Sequence, residues 1–185
     1  SITIALDSTT NDFYLGGYFT GTTDFDPGGG TLELTSIRGS DAFVGRYSAA
    51  GDLVWIKRLG GSNLEICNAL HVDGDGSVLV AGHFNDETDF DSGLGIADLS
   101  TRGDQDGFVA KLDMNANVEW VRGIGGVGVD DAWSIASDQA LNVYVTGQFS
   151  AITQIYPGAN QISLDAGNAS DAFVVKFTPY GKVVW

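Results

Sequence analysis

The chain has 185 residues, the length of one domain, and its 43% apolar content excludes a disordered reading. A formal charge of −15 repels DNA, RNA and anionic lipid, and no run of 18 apolar residues is present for membrane insertion. Cys67 stands alone, which excludes an internal disulfide and a cysteine-built zinc cluster.

A repeat organises the whole sequence. Ser40 to Trp55, SDAFVGRYSAAGDLVW, returns 65 residues later at Gln105 to Trp120 and again at Ser170 to Trp185. Asp41, Asp106 and Asp171 fall in register, as do Phe43, Phe108 and Phe173, then Arg46, Lys111 and Lys176, then Trp55, Trp120 and Trp185. One structural unit built three times explains all of these, with units at 1–65, 66–130 and a shorter 131–185. The 26 glycines, roughly twice the usual ~7%, fit many turns between short strands.

In chain order, each unit predicts four strands. The first is Ile2 to Asp7, with Ala69 to Asp73 and Trp133 to Ser137 as counterparts. The second is Phe13 to Phe19, matched by Val78 to Phe84 and Val143 to Phe149, with Gly17, Gly82 and Gly147 in register. A glycine recurring inside a strand marks a bulge or the close approach of another backbone. Polar and apolar residues then alternate around a glycine-rich turn in TTDFDPGGGTLELTS and TDFDSGLGIADLST, and in outline in ITQIYPGANQISLD. Thr23 to Asp26 and Thr31 to Thr35 therefore extend the hairpin beyond the sheet. The third and fourth strands, Ala42 to Tyr47 and Leu53 to Lys57, are apolar at nearly every position, as suits sheets covered on both faces. RLGGSNLEIC and GIGGVGVDDA read as connections to the next unit.

Twisted four-stranded sheets stacked about an axis build a β-propeller of about four to eight blades. The fold class is thus all-β: three four-stranded antiparallel blades, an incomplete ring or one half of a homodimeric six-bladed ring. Trp185 stops where the earlier units continue with IKRLGG and VRGIGG, so the third blade reads as truncated.

NVYVTGQF at Asn142 to Phe149, SDAFVVK at Ser170 to Lys176 and the turn-then-Trp ending GDLVW at Gly51 to Trp55 resemble the bacterial seven-bladed β-propeller repeat family. The resemblance covers essentially the whole chain, which departs from the commonest units in its long middle hairpin. It implies a secreted or cell-surface bacterial protein, mostly without an assigned enzymatic activity. Ser1 opens without a basic and apolar leader, so a signal peptide is expected to lie outside this chain.

For chemistry, the doubled TDFD draws attention first. Asp24 and Asp26, then Asp89 and Asp91, project in pairs from one strand face, with Glu33 or Asp98 on the returning strand. Such oxygen-rich sets suit calcium, against the reading of solvated hairpin tips; the third unit has Gln154, Tyr156 and Ser163 there. DGDGS at Asp73 to Ser77 imitates an EF-hand start but precedes a strand, so a tight turn is expected. Gly123, Gly125 and Gly128 spell G-x-G-x-x-G, yet no helix follows to hold a pyrophosphate. His71 and His83 lack a recurring third ligand. Cys67 reads as a small buried thiol, the Asp41 series as caps of the turn entering the third strand, the Arg46 series as partners of acids, and the tryptophans as blade-to-blade packing.

These residues point to a non-enzymatic structural and interaction module binding a protein or glycan, joined to further blades or a second copy of the chain. No cofactor is called for, although calcium is possible. The alternatives are a calcium-stabilised adhesion module and a lyase or hydrolase acting at the mouth of the channel.

Overall fold

Runs of Val, Ile, Phe and Tyr between tight turns form strands, and every regular element among the described residues is one. The computed structural model describes residues 2–91, 97–156 and 162–185, the side chain of Asn168 excepted. β1 (Ile2–Leu6), β2 (Phe13–Asp24), β3 (Glu33–Tyr47) and β4 (Leu53–Gly61) pair antiparallel in that order. β5 (Glu65–Val72), β6 (Val78–Phe84), β9 (Asp106–Leu112) and β10 (Val118–Gly126) repeat the arrangement, with a small hairpin of β7 (Glu87–Asp89) and β8 (Asp98–Ser100) between β6 and β9. The third unit comprises β11 (Asp131–Ser137), β12 (Val143–Tyr156) and β13 (Ser163–Phe177). Its last residues run beside β13, with Val184 donating to the Lys176 carbonyl at 2.8 Å.

The units pack face to face. Every residue of β6 and β9 is buried, because side chains alternate between two apolar layers. Val78 and Val80 enter the layer toward the first unit, with Tyr14, Val44, Cys67 and Leu70. Leu79 and Ala81 enter the layer toward the third, with Trp120, Ile135, Val145 and Phe177. Each large side chain removed from water in these layers contributes about 2 kcal/mol.

Two of the three in-register glycines, Gly82 and Gly147, do what the pattern predicts, while β1 pairs with β2 past Gly17 without a bulge. β5 bulges between Cys67 and Ala69, and β11 between Ala132 and Ser134. Opposite each bulge, a Cβ on Gly82 would overlap the Ile66 carbonyl, and one on Gly147 the Asp131 carbonyl. DGDGS is a tight turn, closed by Asp73 N–H to Ser77 O at 2.8 Å with Gly76 at φ 81°.

Two expectations require correction. The middle segment extends the hairpin as expected in the first unit, where residues 22–24 pair with 33–35, but in the second and third units it is joined to the preceding unit's outer strand, and the Gly-Gly segments are not connections. Gly60 and Gly61 end β4 and pair with Asp89 and Thr88 of the next unit's hairpin. Gly123 to Gly126 end β10 and pair with Tyr156 to Thr153. Each sheet therefore continues from the outer strand of one unit into the hairpin of the following one. The hairpin tips at 92–96 and 157–161 lie outside the described residues.

Candidate interaction surface at the unit junctions

The absent side chains of the paired glycines admit two different neighbours. At the first of each pair, a Cβ would meet a buried aspartate of the same unit, Asp41 at Gly60 and Asp106 at Gly125. At the second, it would meet backbone of the next unit's hairpin, Glu87 O at Gly61 and Ile152 O at Gly126. A carboxylate four residues past the second glycine then closes the junction. Glu65 accepts from Gly61 N–H at 2.9 Å and from Thr88 Oγ1 at 3.1 Å. Asp130 accepts from Gly126 N–H at 3.0 Å and from Thr153 Oγ1 at 2.5 Å. Glycine, acid and threonine recur together 65 residues apart.

Burial governs the charge of these acids. It pushes the Glu65 carboxyl up to about 7, against the hydrogen bonds that lower it, and raises Asp130 for the same reason. Asp41 and Asp106 are likewise raised by burial, and one carboxyl oxygen of each lacks a hydrogen-bond partner. Their other oxygen accepts from a backbone N–H four residues earlier, Ile37 within β3 at 3.1 Å and Arg102 in the turn before β9 at 2.9 Å, so the expected turn cap is seen at Asp106 and not at Asp41. Arg58 Nε lies 3.4 Å from Asp41, whereas at the second junction the Tyr156 hydroxyl donates to Asp106. Asp171 is exposed.

Tryptophan makes the second repeated link. Trp55 Nε1 donates to Met114 O and Trp120 Nε1 to Pro179 O, each at 3.0 Å. Met114 and Pro179 are themselves 65 residues apart, in the turn of the following unit. The basic series pairs with acids: Arg46 with Asp12 at 2.8 Å, Lys176 with Asp138 at 3.6 Å, and the buried Lys111 with Asp75 at 3.2 Å and Glu119 at 3.6 Å. A cleft of about 520 Å³ between the second and third units is lined by Asp75, Lys111, Glu119, Trp120 and Tyr180. Its indole is 8% exposed, too covered to serve as a sugar platform.

The hairpin acids take individual places. Asp24 Oδ1 accepts from Leu32 N–H at 2.9 Å and Asp26 N–H at 3.0 Å, bonds that hold its carboxyl below the usual range. Asp26 accepts from Gly28 N–H, and Asp89 from Asp91 N–H, both at 2.8 Å. Lys57 Nζ lies 3.3 Å from Asp91. Glu33 sits opposite Asp24 in register, and Asp98 opposite Asp89. Among the described residues no three His, Cys, Asp or Glu side chains are grouped to hold a metal ion. What the repeated TDFD anchors is its phenylalanine: Phe25 packs edge-on to Phe19 and tilted against Phe43 at 5.3 and 4.8 Å, and Phe90 likewise against Phe84 and Phe108 at 5.7 and 4.7 Å.

Both histidines face the third unit: His71 Nε2 is hydrogen-bonded with Ser137 Oγ at 2.9 Å, and His83 Nδ1 lies 2.7 Å from an Asp131 carboxyl oxygen. Asp73 approaches the same Nε2 of His71, at 3.9 Å. A nucleophilic triad places serine and acid on different ring nitrogens, which this grouping does not. Cys67 is fully buried, its thiol pushed up to about 12 by desolvation. Gly123 and Gly125 lie within β10, against Tyr156 and Asp106, and β11 follows.

The outer faces contrast with the junctions. Ile2 and Ile4 are 78% and 61% exposed, whereas Cys67 and Leu70, which hold the same register positions in the second unit, are 0% and 8% exposed. At the other end Val174 is 56% exposed, against 0% for Val44 and Val109.

No family model matches the chain. It is similar to an uncharacterized WD repeat-containing protein, L264, of Acanthamoeba polyphaga mimivirus, 26% identical over 189 residues that cover 96% of this chain and 14% of that protein. It is also similar to the regulatory protein FlaEY of Caulobacter vibrioides, 27% identical over 143 residues, 77% of this chain and 14% of that protein. The chain thus spans about a seventh of the length of these relatives. An all-β stack of repeated units and a WD repeat-containing relative aligned over nearly the whole chain fit a β-propeller repeat family. The sequence reading missed the glycine–acid–threonine junction. Its signal was present, since Gly61, Glu65 and Thr88 recur as Gly126, Asp130 and Thr153.

Proposed function

We propose that the chain is a non-enzymatic structural and interaction module: three blades of a larger propeller of the bacterial seven-bladed-repeat type, secreted or displayed at the cell surface. It couples to further blades, or to a second copy as half of a six-bladed ring, and meets a protein or glycan through loops on one ring face. One observation carries the reading. Ile2, Ile4 and Leu6 are 78%, 61% and 71% exposed on the first strand, whereas the positions matching Ile2 and Ile4, Cys67 and Leu70 in the second unit and Ala132 and Ile135 in the third, are buried. Contiguous apolar surface of this kind marks a contact site. The buried acids support the same view, because Glu65, Asp106 and Asp130 are each engaged by groups at a junction. The WD repeat-containing relative is compatible with an interaction role.

Static light scattering with a dye that reports apolar surface tests this reading. Association at micromolar concentration, or strong dye binding by the monomer, is the expected result. A stable monomer silent to the dye overturns it.

A further inference from the structure

We propose that the outer edge of the first hairpin, residues 23–26, is an acceptor for a strand of defined chemistry: an extended segment ending in Gly-Gly, with a carboxylate four residues beyond the second glycine. This deepens the module reading and rests on it, by naming the partner that the first unit takes.

The argument is continuity with the two filled junctions. In each, the edge carries a threonine, Thr88 or Thr153, whose hydroxyl donates to the incoming carboxylate. Thr23 occupies the same position in the first unit, half-buried and with its outer side unpaired. Phe25 holds this edge against Phe19 and Phe43 as Phe90 holds its counterpart against Phe84 and Phe108. Phe25 donates inward to Leu32 O at 3.0 Å, so the alternation of a strand turns the Asp24 N–H outward. Gly60 pairs with Asp89, the register equivalent of Asp24. On the first strand of the same unit Ile2 and Ile4 are exposed, where Cys67 and Leu70 hold the same register positions in the second unit and are covered.

The occupant's chemistry is narrow for steric and electrostatic reasons. The second glycine must lack a Cβ, because at both filled junctions that atom would overlap the hairpin backbone. The carboxylate must accept from the glycine N–H and the threonine hydroxyl together, as Glu65 and Asp130 do. This chain's own segments of that form already pair within it. A second copy of these residues would have to give up one of those pairings to fill the edge, so the occupant we assign is the outer strand of a preceding repeat.

The test extends the chain at its start with a duplicate of residues 118–130, VEWVRGIGGVGVD, so that the duplicated aspartate precedes Ser1 as Asp130 precedes Asp131. Hydrogen exchange at the Asp24 amide and the thermal midpoint are compared with those of the parent chain. The expected result is exchange slowed by about tenfold and a raised midpoint. Both gains should be lost when valine replaces the second glycine of the added Gly-Gly, and reduced when asparagine replaces the added aspartate. Thr23→Val in the extended chain should reduce them too, with the same substitution in the parent as the folding control. No slowing at Asp24, or equal slowing with valine in the extension, overturns the inference. So does Asp24 protection in the parent that grows with protein concentration, because a second copy would then fill the edge. Failure here is separable from failure of the module reading, since the scattering and dye experiment is read on the unextended chain.

Discussion

At the scale of single residues, the buried acids set how stability depends on pH. Glu65 titrates near 7 in the fold, against an ordinary value of 4.5, so between those values the folded chain holds a proton that the unfolded chain has lost. Stability from this group is therefore present below about 4.5 and falls as pH rises to 7. The raised Asp41, Asp106 and Asp130 act in the same direction. Asp7, Asp24, Asp75, Asp113 and Asp138 are lowered, and their contribution is lost at more acid pH. The melting midpoint should peak in mild acid and drop by about 5 °C between pH 5 and pH 8. Glu65→Gln should flatten that decline, as calorimetry across the range would show. A second prediction concerns volume. Gly60→Val drives a side chain into the buried Asp41 carboxyl and should cost about 1–3 kcal/mol in denaturant unfolding. Adding Asp41→Ala should recover part of that cost, since the two sites share one space.

At the scale of elements, the tryptophans and hairpins divide the work of joining units. Trp120→Phe removes the indole donor to Pro179 O at a covered site and should lower stability by about 1 kcal/mol, or roughly 3 °C in the midpoint. Trp185→Phe should be nearly silent, since that ring is 51% exposed. The hairpin carboxylates at Asp24 and Asp89 already accept backbone N–H groups. Melting with millimolar calcium and with chelator should accordingly give the same midpoint; a clear rise with calcium would instead support the calcium-stabilised reading. Much of this level was legible in advance. Phe13 to Phe19 announced a strand by its apolar and aromatic run, and Gly82 and Gly147 announced a tight backbone approach by standing in register. The role of Gly60 and Gly61 was not legible, because a glycine pair that loosens a turn looks the same in sequence as one that lets two backbones touch. TDFD carried two signals at once: its charged residues suggest ligands, while the phenylalanine between them fixes the hairpin by ring packing. Glu65 and Asp130 differ in type, which hid a shared task behind an ordinary substitution.

At the scale of the molecule, the repeat period conveyed the stack of sheets, since register alone aligns Asp41 with Asp106 and Trp55 with Trp120. It did not convey that the sheets run on from unit to unit. That requires knowing which strand lies beside which hairpin, a relation between neighbours that a period does not contain. The contrast between covered and open positions follows from the same plan. Val44 and Val109 are closed over at 0% exposure and Val174 stands open at 56%, so the scattering experiment reads a property built into the repeat.

Because β4 ends on the hairpin of the second unit and β10 on that of the third, no unit can melt without stripping the rim of its neighbour. Cooperativity is thereby wired through the backbone, and heating should give one transition where loosely strung beads would give several. The first two units each carry a plug for the one after and the last two a socket for the one before, so gene duplication can lengthen such an array without redesigning either joint.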